Sequence, residues 1–322
     1  MEIGSFIELQ FPKGMEYYKG EKNIIRLNSG RASIWHAFRM TGCRAIWLPV
    51  YQCDTVRDFL NRKNATIKYY HIDKNFNPTD LDASDDEAVL FVNYYGVMSN
   101  DRMKSLAMGF RHPIIDNSQA FFCKPIPGCY NIYSARKFVG VPDGSYVIGD
   151  SAEQHAEEYE QGFSSDTAAF LLQRIEYGCE GEVYESRMVN EHRIDTEDIK
   201  LMSKLTHTIL DGTDYQYIIK KRRENFDFAD QLFRDINKLD IGKYYDGTCV
   251  PMVYPLVLED DSLLKRLLDA KHFQGHWWSY LLDEADESSF EYWISRYIIP
   301  ITIDQRYGKK ELEHLSRVIK GL

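Results

Sequence analysis

The sequence lacks the features that mark several common classes of protein. No apolar run approaches the roughly 18 residues that a membrane-spanning helix needs, so we expect no membrane partner. No Gly-x-Gly-x-x-Gly follows a strand-like segment, which argues against a dinucleotide-binding turn. Gly-x-Ser-x-Gly and His-Glu-x-x-His are also absent. Neither a hydrolase nucleophile elbow nor a zinc protease is therefore indicated, and we expect no metal.

The chain also lacks an informative cysteine spacing and an excess of positive charge. The six cysteines show no Cys-x-x-Cys pattern, which favours buried free thiols in a reducing compartment over a zinc site or a disulfide framework. The chain has 39 Lys and Arg against 49 Asp and Glu, and a surface with this net charge of −10 repels a nucleic acid. The first residues lack the basic and then apolar order of a signal peptide. We therefore expect a cytoplasmic protein without a nucleic-acid partner.

The first half of the chain instead shows a regular alternation of helix-like and strand-like segments. Residues 28–30 (NSG) precede apolar residues at helical spacing, which predicts a helix start. Strands that alternate with helices are typical of βαβ units, so the pattern predicts an α/β fold with a mainly parallel sheet. The predicted strands are residues 44–48, 66–72, 88–93, 112–116 and 130–133, and the predicted helices are residues 32–40, 54–64 and 100–109.

The second half has a different character. Two long amphipathic patterns predict helices over residues 197–210 and 214–239. Residues 252–258 and 297–303 are short apolar runs that predict strands, and further helices are predicted over residues 262–271 and 308–319. We expect a large domain over residues 1–212 and a smaller C-terminal α+β domain over residues 213–322.

Polar residues stand at the ends of three predicted strands. Asn93, Asp116 and the segment from Ser134 to Lys137 each follow an apolar run. Ligands of parallel sheets bind at the carboxyl ends of the strands. Taken singly, each residue has an ordinary structural explanation, since Asp116 could close a turn, Asn93 could cap a strand and Lys137 could be a surface lysine.

Together these residues supply what pyridoxal-phosphate chemistry requires. The amine of Lys137 can form a Schiff base with the cofactor, and the carboxylate of Asp116 can keep the pyridine nitrogen protonated. The Ser134 hydroxyl and the free N–H groups of the helix that starts near Gly30 can hold a phosphate. Arg31 either adds positive charge to that phosphate site or is only a first-turn surface residue.

The order and spacing of these segments resemble the DegT/DnrJ/EryC1/StrS family of sugar aminotransferases, of which the chain looks like a divergent member. The resemblance extends over about 280 residues, and no single segment is specific by itself. The similar segments are residues 28–32 (NSGRA), 48–51 (LPVY), 70–73 (YHID), 116–120 (DNSQA), 134–137 (SARK) with the later 143–144 (DG), 222–226 (RRENF) and 299–307 (IPITIDQRY).

The resemblance implies a fold and a set of roles. The family has the three-layer α/β/α architecture of the fold-type I pyridoxal-phosphate transferases. By analogy Lys137 carries the cofactor as an internal aldimine, Asp116 pairs with the pyridine nitrogen and Gln119 lies against the ring. Gly30, Arg31 and Ser134 would then hold the phosphate. Fold-type I enzymes build their sites across a twofold axis, so the resemblance also implies a homodimer.

Three departures from the family pattern affect the expected site. Cys53 stands where relatives have an aromatic residue that stacks on the pyridine ring, and Tyr51 two residues earlier is the alternative stacking partner. Asn93 stands where a histidine is frequent. Residues 187–193 (RMVNEHR) match poorly the segment that supplies partner and sugar contacts in relatives.

The expected function is that of a pyridoxal-phosphate-dependent aminotransferase in sugar biosynthesis. An amino acid would be the donor, and a keto-sugar nucleotide or a related carbonyl compound would be the acceptor. Two alternatives stay open at this point. One is another fold-type I reaction, such as transamination of a small keto acid or an elimination. The other is a non-catalytic paralogue that binds pyridoxal phosphate or a sugar nucleotide for regulation.

Overall fold

The computed structural model describes residues 3–321 and has a seven-stranded sheet at its centre. The strands are β1 (Ile24–Leu27), β2 (Ala45–Pro49), β3 (Thr66–Tyr70), β4 (Glu87–Val92), β5 (His112–Asn117), β6 (Tyr130–Ser134) and β7 (Ser145–Ile148), with β8 (Val253–Val257) and β9 (Ile298–Thr302) in a second sheet. The strand order of the large sheet is β1-β7-β6-β5-β4-β2-β3. The pairs among β2 to β6 are parallel, whereas β7 is antiparallel to both β6 and β1. The expected mainly parallel sheet is confirmed.

Helices cover both faces of this sheet. The helices are α1 (Gly30–Thr41), α2 (Asp54–Arg62), α3 (Asn100–Ala107), α4 (Ala169–Tyr177), α5 (Glu182–Thr196), α6 (Lys204–Asp211), α7 (Tyr215–Phe233), α8 (Leu263–Asp269), α9 (Leu281–Glu284), α10 (Phe290–Tyr297) and α11 (Lys309–Lys320). Successive side chains of a strand point to opposite faces. In β4, Leu90 packs on the side of α1 and α2, and its neighbour Phe91 packs on the side of α3. Since all six residues of β4 are buried, the sheet is the middle of three layers, as expected.

The start of α1 follows the signals present in the sequence. Ser29 is the N-cap, and its hydroxyl accepts a hydrogen bond from the Ala32 N–H at 3.3 Å. The helix ends at Gly42, which has a φ of 66° and donates its N–H to the Arg39 carbonyl. These two caps fix where α1 begins, and therefore where its free N–H groups lie.

The C-terminal unit, which we define as residues 215–320, contains the antiparallel pair β8–β9. Pro255 and Pro300 lie directly opposite each other in this pair. Proline has no N–H to donate, so two facing prolines are tolerated only at a position without ladder hydrogen bonds. Helix α7 is the longest helix of the described residues, with 19 residues, and buries one side against this unit. Over residues 3–321, we find no helix with the length and apolar character that a membrane crossing requires.

The predicted helix over residues 197–210 is wrong in its first half. Helix α5 ends at Thr196, and α6 begins only after the N-cap Ser203. Between them Leu201 forms bridges with Leu27 and Gln161, and the Lys200 carbonyl accepts the Asn28 N–H at 2.9 Å. Because these backbone groups pair with the edge of the large sheet, the local helical pattern is overridden by tertiary contacts.

Candidate active site

The carboxyl edge of the large sheet brings the predicted strand-end residues together. Strands β5 and β6 are parallel neighbours, with Asp116 opposite Ile132 and Asn117 opposite Tyr133. The Asp116 carbonyl accepts the N–H of Asn93 at 3.0 Å. Asn93, Asp116 and Ser134 therefore lie at one edge, because the ends of neighbouring parallel strands meet there.

The carboxylate of Asp116 is held by its own turn. One of its oxygens accepts the N–H of Ser118 at 2.8 Å, and the residue is only 7% exposed. The Ala120 N–H, donated to the Asn117 carbonyl at 2.8 Å, closes the turn. The orientation of this carboxylate is consequently fixed by backbone groups.

The N-terminus of α1 lies against the Asp116 turn. A Cβ atom on Gly30 would lie 3.2 Å from the Ser118 hydroxyl oxygen, so a side chain at this position would crowd the turn. The first N–H groups of a helix have no acceptor within the helix and can bind an anion. Arg31 is part of this first turn, and its guanidinium forms an ion pair with Asp195 at 2.6 Å.

Lys137 follows β6 through a single 3₁₀ turn. The Ala135 N–H donates to the Gly144 carbonyl at 3.1 Å, and the Gly144 N–H donates to the Asn28 carbonyl at 3.0 Å. We call residues 135–138 the lysine turn. The two hydrogen bonds join this turn to the segment that precedes α1. Ser134 is buried, whereas Lys137 is exposed, so its amine is accessible to a small molecule at this edge.

The predicted cofactor ligands Asn93 and Gln119 both hold a neighbouring loop. The Asn93 amide donates to the Met98 carbonyl at 3.1 Å and to Asn117 Oδ1 at 3.2 Å. The side-chain oxygen of Gln119 accepts the N–H of Tyr95 at 2.6 Å. Tyr95 has a φ of 60°, which is strained for a residue with a side chain. The two amides thus stabilise an unusual backbone conformation beside Asp116.

Tyr51 lies inside an aromatic cluster. Its hydroxyl forms a hydrogen bond with the Tyr95 hydroxyl at 2.7 Å, and its ring centroid is 4.4 Å from that of Trp278. The residue is fully buried, and burial raises the pKa of its phenol, which therefore stays protonated. In this structure Tyr51 joins the sheet edge to the C-terminal unit, while Cys53 is the half-buried N-cap residue of α2.

Solved structures resemble this chain over most of its length. No family model matches the sequence, and no curated protein matches it. The sugar aminotransferase CalS13 from Micromonospora echinospora has 14% identity and a TM-score of 0.63, over 94% of this chain and 88% of that one. A DegT DnrJ EryC1 StrS aminotransferase from Brucella abortus has 12% identity and a TM-score of 0.63, over 94% and 87%. The E. coli GDP-4-keto-6-deoxy-D-mannose-3-dehydratase with bound hydrated PLP has 16% identity and a TM-score of 0.62, over 93% and 88%.

The fold is that of the DegT/DnrJ/EryC1/StrS aminotransferases. The expected fold class is confirmed by these likenesses and by the sheet topology. In this fold, the four segments around Asp116, Gly30, Lys137 and Asn93 meet at the carboxyl edge of the sheet.

Asp143 anchors the segment that follows the lysine turn, and no local sequence pattern indicates this role. It is 1% exposed, accepts a hydrogen bond from the Ser164 hydroxyl and accepts the Ser203 hydroxyl at 3.2 Å. The amide of Asn190 on α5 donates to the Pro142 carbonyl at 2.9 Å. The segment that matches the family poorly therefore supports the turn between Lys137 and β7.

Residues 220–223 (KKRR) form a basic run on α7, and such a run is typical of a solvated helix face, but Arg222 is buried. Lys220 is exposed, but Arg222 is only 2% exposed. The buried residues of α7 recur at helical spacing, and Arg222 falls in the same stripe as Ile218, Asn225 and Phe226. The helical spacing of the apolar residues around Arg222 indicates a buried position, although the run of basic residues suggests a solvated one.

Replacing Gly96 by alanine is expected to destabilise the protein by about 2–4 kcal/mol. Gly96 has a φ of 71°, and a Cβ atom would overlap the Gln119 carbonyl oxygen. The clash would separate the Tyr95 loop from the Asp116 turn. Chemical denaturation measures the change. Gly109→Ala is the control, since its Cβ would meet no atom within 4 Å. Equal stabilities of the two variants would contradict the prediction.

Proposed function

We propose that this chain is a pyridoxal-phosphate-dependent aminotransferase. The donor is an amino acid, and the acceptor is a keto-sugar nucleotide or a related carbonyl compound. The observation that carries the proposal is the meeting of an accessible Lys137, a fixed Asp116 carboxylate and the start of α1 at one sheet edge. The likeness to sugar aminotransferases supports the same activity.

The residues at this edge suit pyridoxal phosphate. The free N–H groups at Gly30 and Arg31 and the Ser134 hydroxyl would hold the phosphate, and the missing side chain of Gly30 leaves room beside Ser118. Asp116 would face the pyridine nitrogen. Gln119, Asn93 and Tyr51 remain the proposed surroundings of the ring. When bound, the cofactor supplies an electron sink for the substrate carbon that carries the amino group.

The chain itself performs the proton chemistry. The Lys137 amine would take the proton from the substrate carbon as a general base and would deliver it to the cofactor carbon that carries the nitrogen as a general acid. Asp116 keeps the pyridine nitrogen protonated by its negative charge, in an orientation that the Ser118 N–H fixes. Tyr94, Tyr95 and Gly96 are buried and contact the Asp116 turn through Gln119, so they would keep water from one side of the site.

Arg31 can change partners when a phosphate is present. Its side chain is 11% exposed, whereas that of its partner Asp195 is 46% exposed. An exposed carboxylate loses little when its ion pair is broken, because water solvates it. A dianionic phosphate at the start of α1 would therefore compete well for the guanidinium.

The proposal includes assembly, location and domain organisation. Helix α4 has no buried residue, and it exposes the apolar side chains of Leu172, Ile175 and Tyr177. Exposed apolar side chains of this kind suit contact with a second copy of the chain, so we include a homodimer. We also keep the cytoplasmic location and the division into a large domain over residues 1–212 and a small domain over residues 213–322. The separate β8–β9 sheet supports that division.

Visible absorbance and product analysis test the proposed function. Purified protein mixed with pyridoxal phosphate and then desalted is expected to keep a visible band. An amino-acid donor is expected to remove the band and to release one equivalent of keto acid. A colourless protein after desalting would contradict the proposal.

Elimination is the second candidate, because a dehydratase is among the similar structures. It would use the same Lys137 and Asp116. Conversion of a keto-sugar nucleotide with loss of water, and without transfer of the donor nitrogen to the product, would favour elimination. A stable band that no amino acid removes would favour the regulatory alternative. Nitrogen-15 from a labelled donor, recovered in the sugar product, is the result expected for the aminotransferase.

A further inference from the structure

Arg222 reaches from the C-terminal unit to the backbone of Lys137. One terminal nitrogen of its guanidinium donates to the Met252 carbonyl at 2.9 Å, and the other donates to the Lys137 carbonyl at 3.5 Å. The guanidinium carbon lies 4.5 Å from the centroid of the Phe138 ring. One buried side chain thus contacts both residues at the end of the lysine turn.

The guanidinium of Arg222 forms no ion pair with a carboxylate of residues 3–321. No described carboxylate lies within ion-pair distance of it, and the nearby Asp304 is paired with Arg306 at 2.7 Å. Its Nε has no hydrogen-bond partner within residues 3–321. Burial lowers the pKa of Arg222 to about 10, so the group stays charged at neutral pH. A buried cation that forms no ion pair of its own is costly, and costly groups are frequently kept for function.

Gln305 holds the next carbonyl along the chain. Its side-chain N–H donates to the Phe138 carbonyl at 3.0 Å. The turn that carries Gln305 is itself tied to α7, since Asn225 donates to the Ile303 carbonyl at 3.1 Å and the Tyr307 carbonyl at 3.0 Å. Two successive carbonyls, those of Lys137 and Phe138, are therefore held by side chains of the C-terminal unit.

Arg223 shows that these contacts are specific to Arg222. Arg223 also donates to backbone carbonyls, those of Thr248 at 3.0 Å and Cys249 at 3.4 Å. These acceptors belong to the C-terminal unit itself. Both arginines thus donate to carbonyls of the segment before β8. Of the two, Arg222 also donates to the Lys137 carbonyl.

We propose that Arg222 and Gln305 are positioning residues that fix the direction of the Lys137 side chain by holding the Lys137 and Phe138 carbonyls. The proposal rests on the proposed function, in which the Lys137 amine is the reacting group. The Lys137 carbonyl belongs to the peptide plane that follows the Lys137 Cα, so holding this carbonyl restricts ψ of Lys137 and with it the direction of the Cα–Cβ bond. Holding the Phe138 carbonyl restricts the dihedrals of Phe138 and so keeps that peptide plane in place. The docking of the C-terminal unit thereby determines the geometry of the reactive amine.

The test compares Arg222→Gln and Gln305→Met with the control Arg223→Gln. Each full-length protein is titrated with pyridoxal phosphate, and the visible absorbance and visible circular dichroism are recorded. We expect the first two variants to form the covalent bond more slowly and with a weaker dichroic band. Their kcat should fall about 10- to 100-fold, because the reactive amine would be displaced by about an ångström. The KM of the donor should change less. Arg222→Lys should recover part of the loss, and Arg223→Gln should behave as the wild type.

The outcomes separate this proposal from the proposed function. A wild type without a visible band means that the proposed function fails, and the positioning role fails with it. A wild type with a band, together with unchanged dichroism and kcat in both Arg222→Gln and Gln305→Met, overturns the positioning role alone. If Arg222→Gln does not fold, Gln305→Met is the deciding variant. Methionine has a similar length and removes the N–H donor together with an oxygen that has no hydrogen-bond partner within residues 3–321.

Discussion

Replacing Lys137 by alanine is expected to abolish the visible cofactor band and to lower transamination by at least about 10³-fold. The variant has no amine to bond covalently to the cofactor and no group to move the substrate proton. Lys137 is exposed, so its removal should leave the free energy of unfolding within about 0.5 kcal/mol of the wild type. The measurements are absorbance after desalting, borohydride trapping with peptide mapping, and the rate of keto-acid release.

A lysine on α7 provides the matched control for this variant. The side chain of Lys220 is 74% exposed and lies on the outer face of the helix. Lys220→Ala removes the same charge and should keep both the band and the activity. A small primary amine added to Lys137→Ala should restore part of the rate, because it replaces the missing base. A persistent covalent band in Lys137→Ala, or trapping at another lysine, would refute the assignment.

Replacing Asp116 by asparagine is expected to lower the rate of the donor half-reaction by about 10²- to 10³-fold while cofactor binding persists. Asparagine keeps an oxygen that can accept the Ser118 N–H, so the turn should survive. It loses the negative charge that holds a proton on the pyridine nitrogen. A single-turnover experiment that follows the loss of the visible band with L-glutamate measures this rate.

Asp150→Asn controls for the lost charge. Asp150 is exposed and follows β7, which is antiparallel to β6, so it lies at the opposite edge of the sheet. Its variant should react at the wild-type rate. If Asp116→Asn also reacted at the wild-type rate, the carboxylate would have no part in the chemistry. If Asp116→Asn lost the cofactor entirely but stayed folded, its role would be binding.

The parallel strands and α1 could be predicted because their signals are local. Apolar runs such as residues 88–93 give strands that are buried on both faces, and Ser29 with Gly42 sets the two ends of α1. The strand-end position of Asp116 then followed from a general rule of α/β sheets. The candidate site could be located for the same reason, since parallel strands bring their ends to one edge.

Local sequence patterns could not predict the contacts between distant parts of the chain. Residues 198–203 have a helical pattern but pair with the edge of the sheet through Leu201. Arg222 looked like a surface charge and is buried beneath the lysine turn. Tyr51 lies in a cluster with Tyr95 and Trp278, and local patterns indicate neither of these two partners.

The sequence by itself determined the alternation of elements, the caps of α1 and the chemical types at the strand ends. These depend on the spacing of apolar residues and on hydrogen bonds between near neighbours in the chain. The tertiary structure alone decided which side chains face the edge and which support it. Asn93 and Gln119 hold the Tyr95 loop, and Arg222 and Gln305 hold the lysine turn, because residues far apart in sequence supply the partners for their buried polar groups.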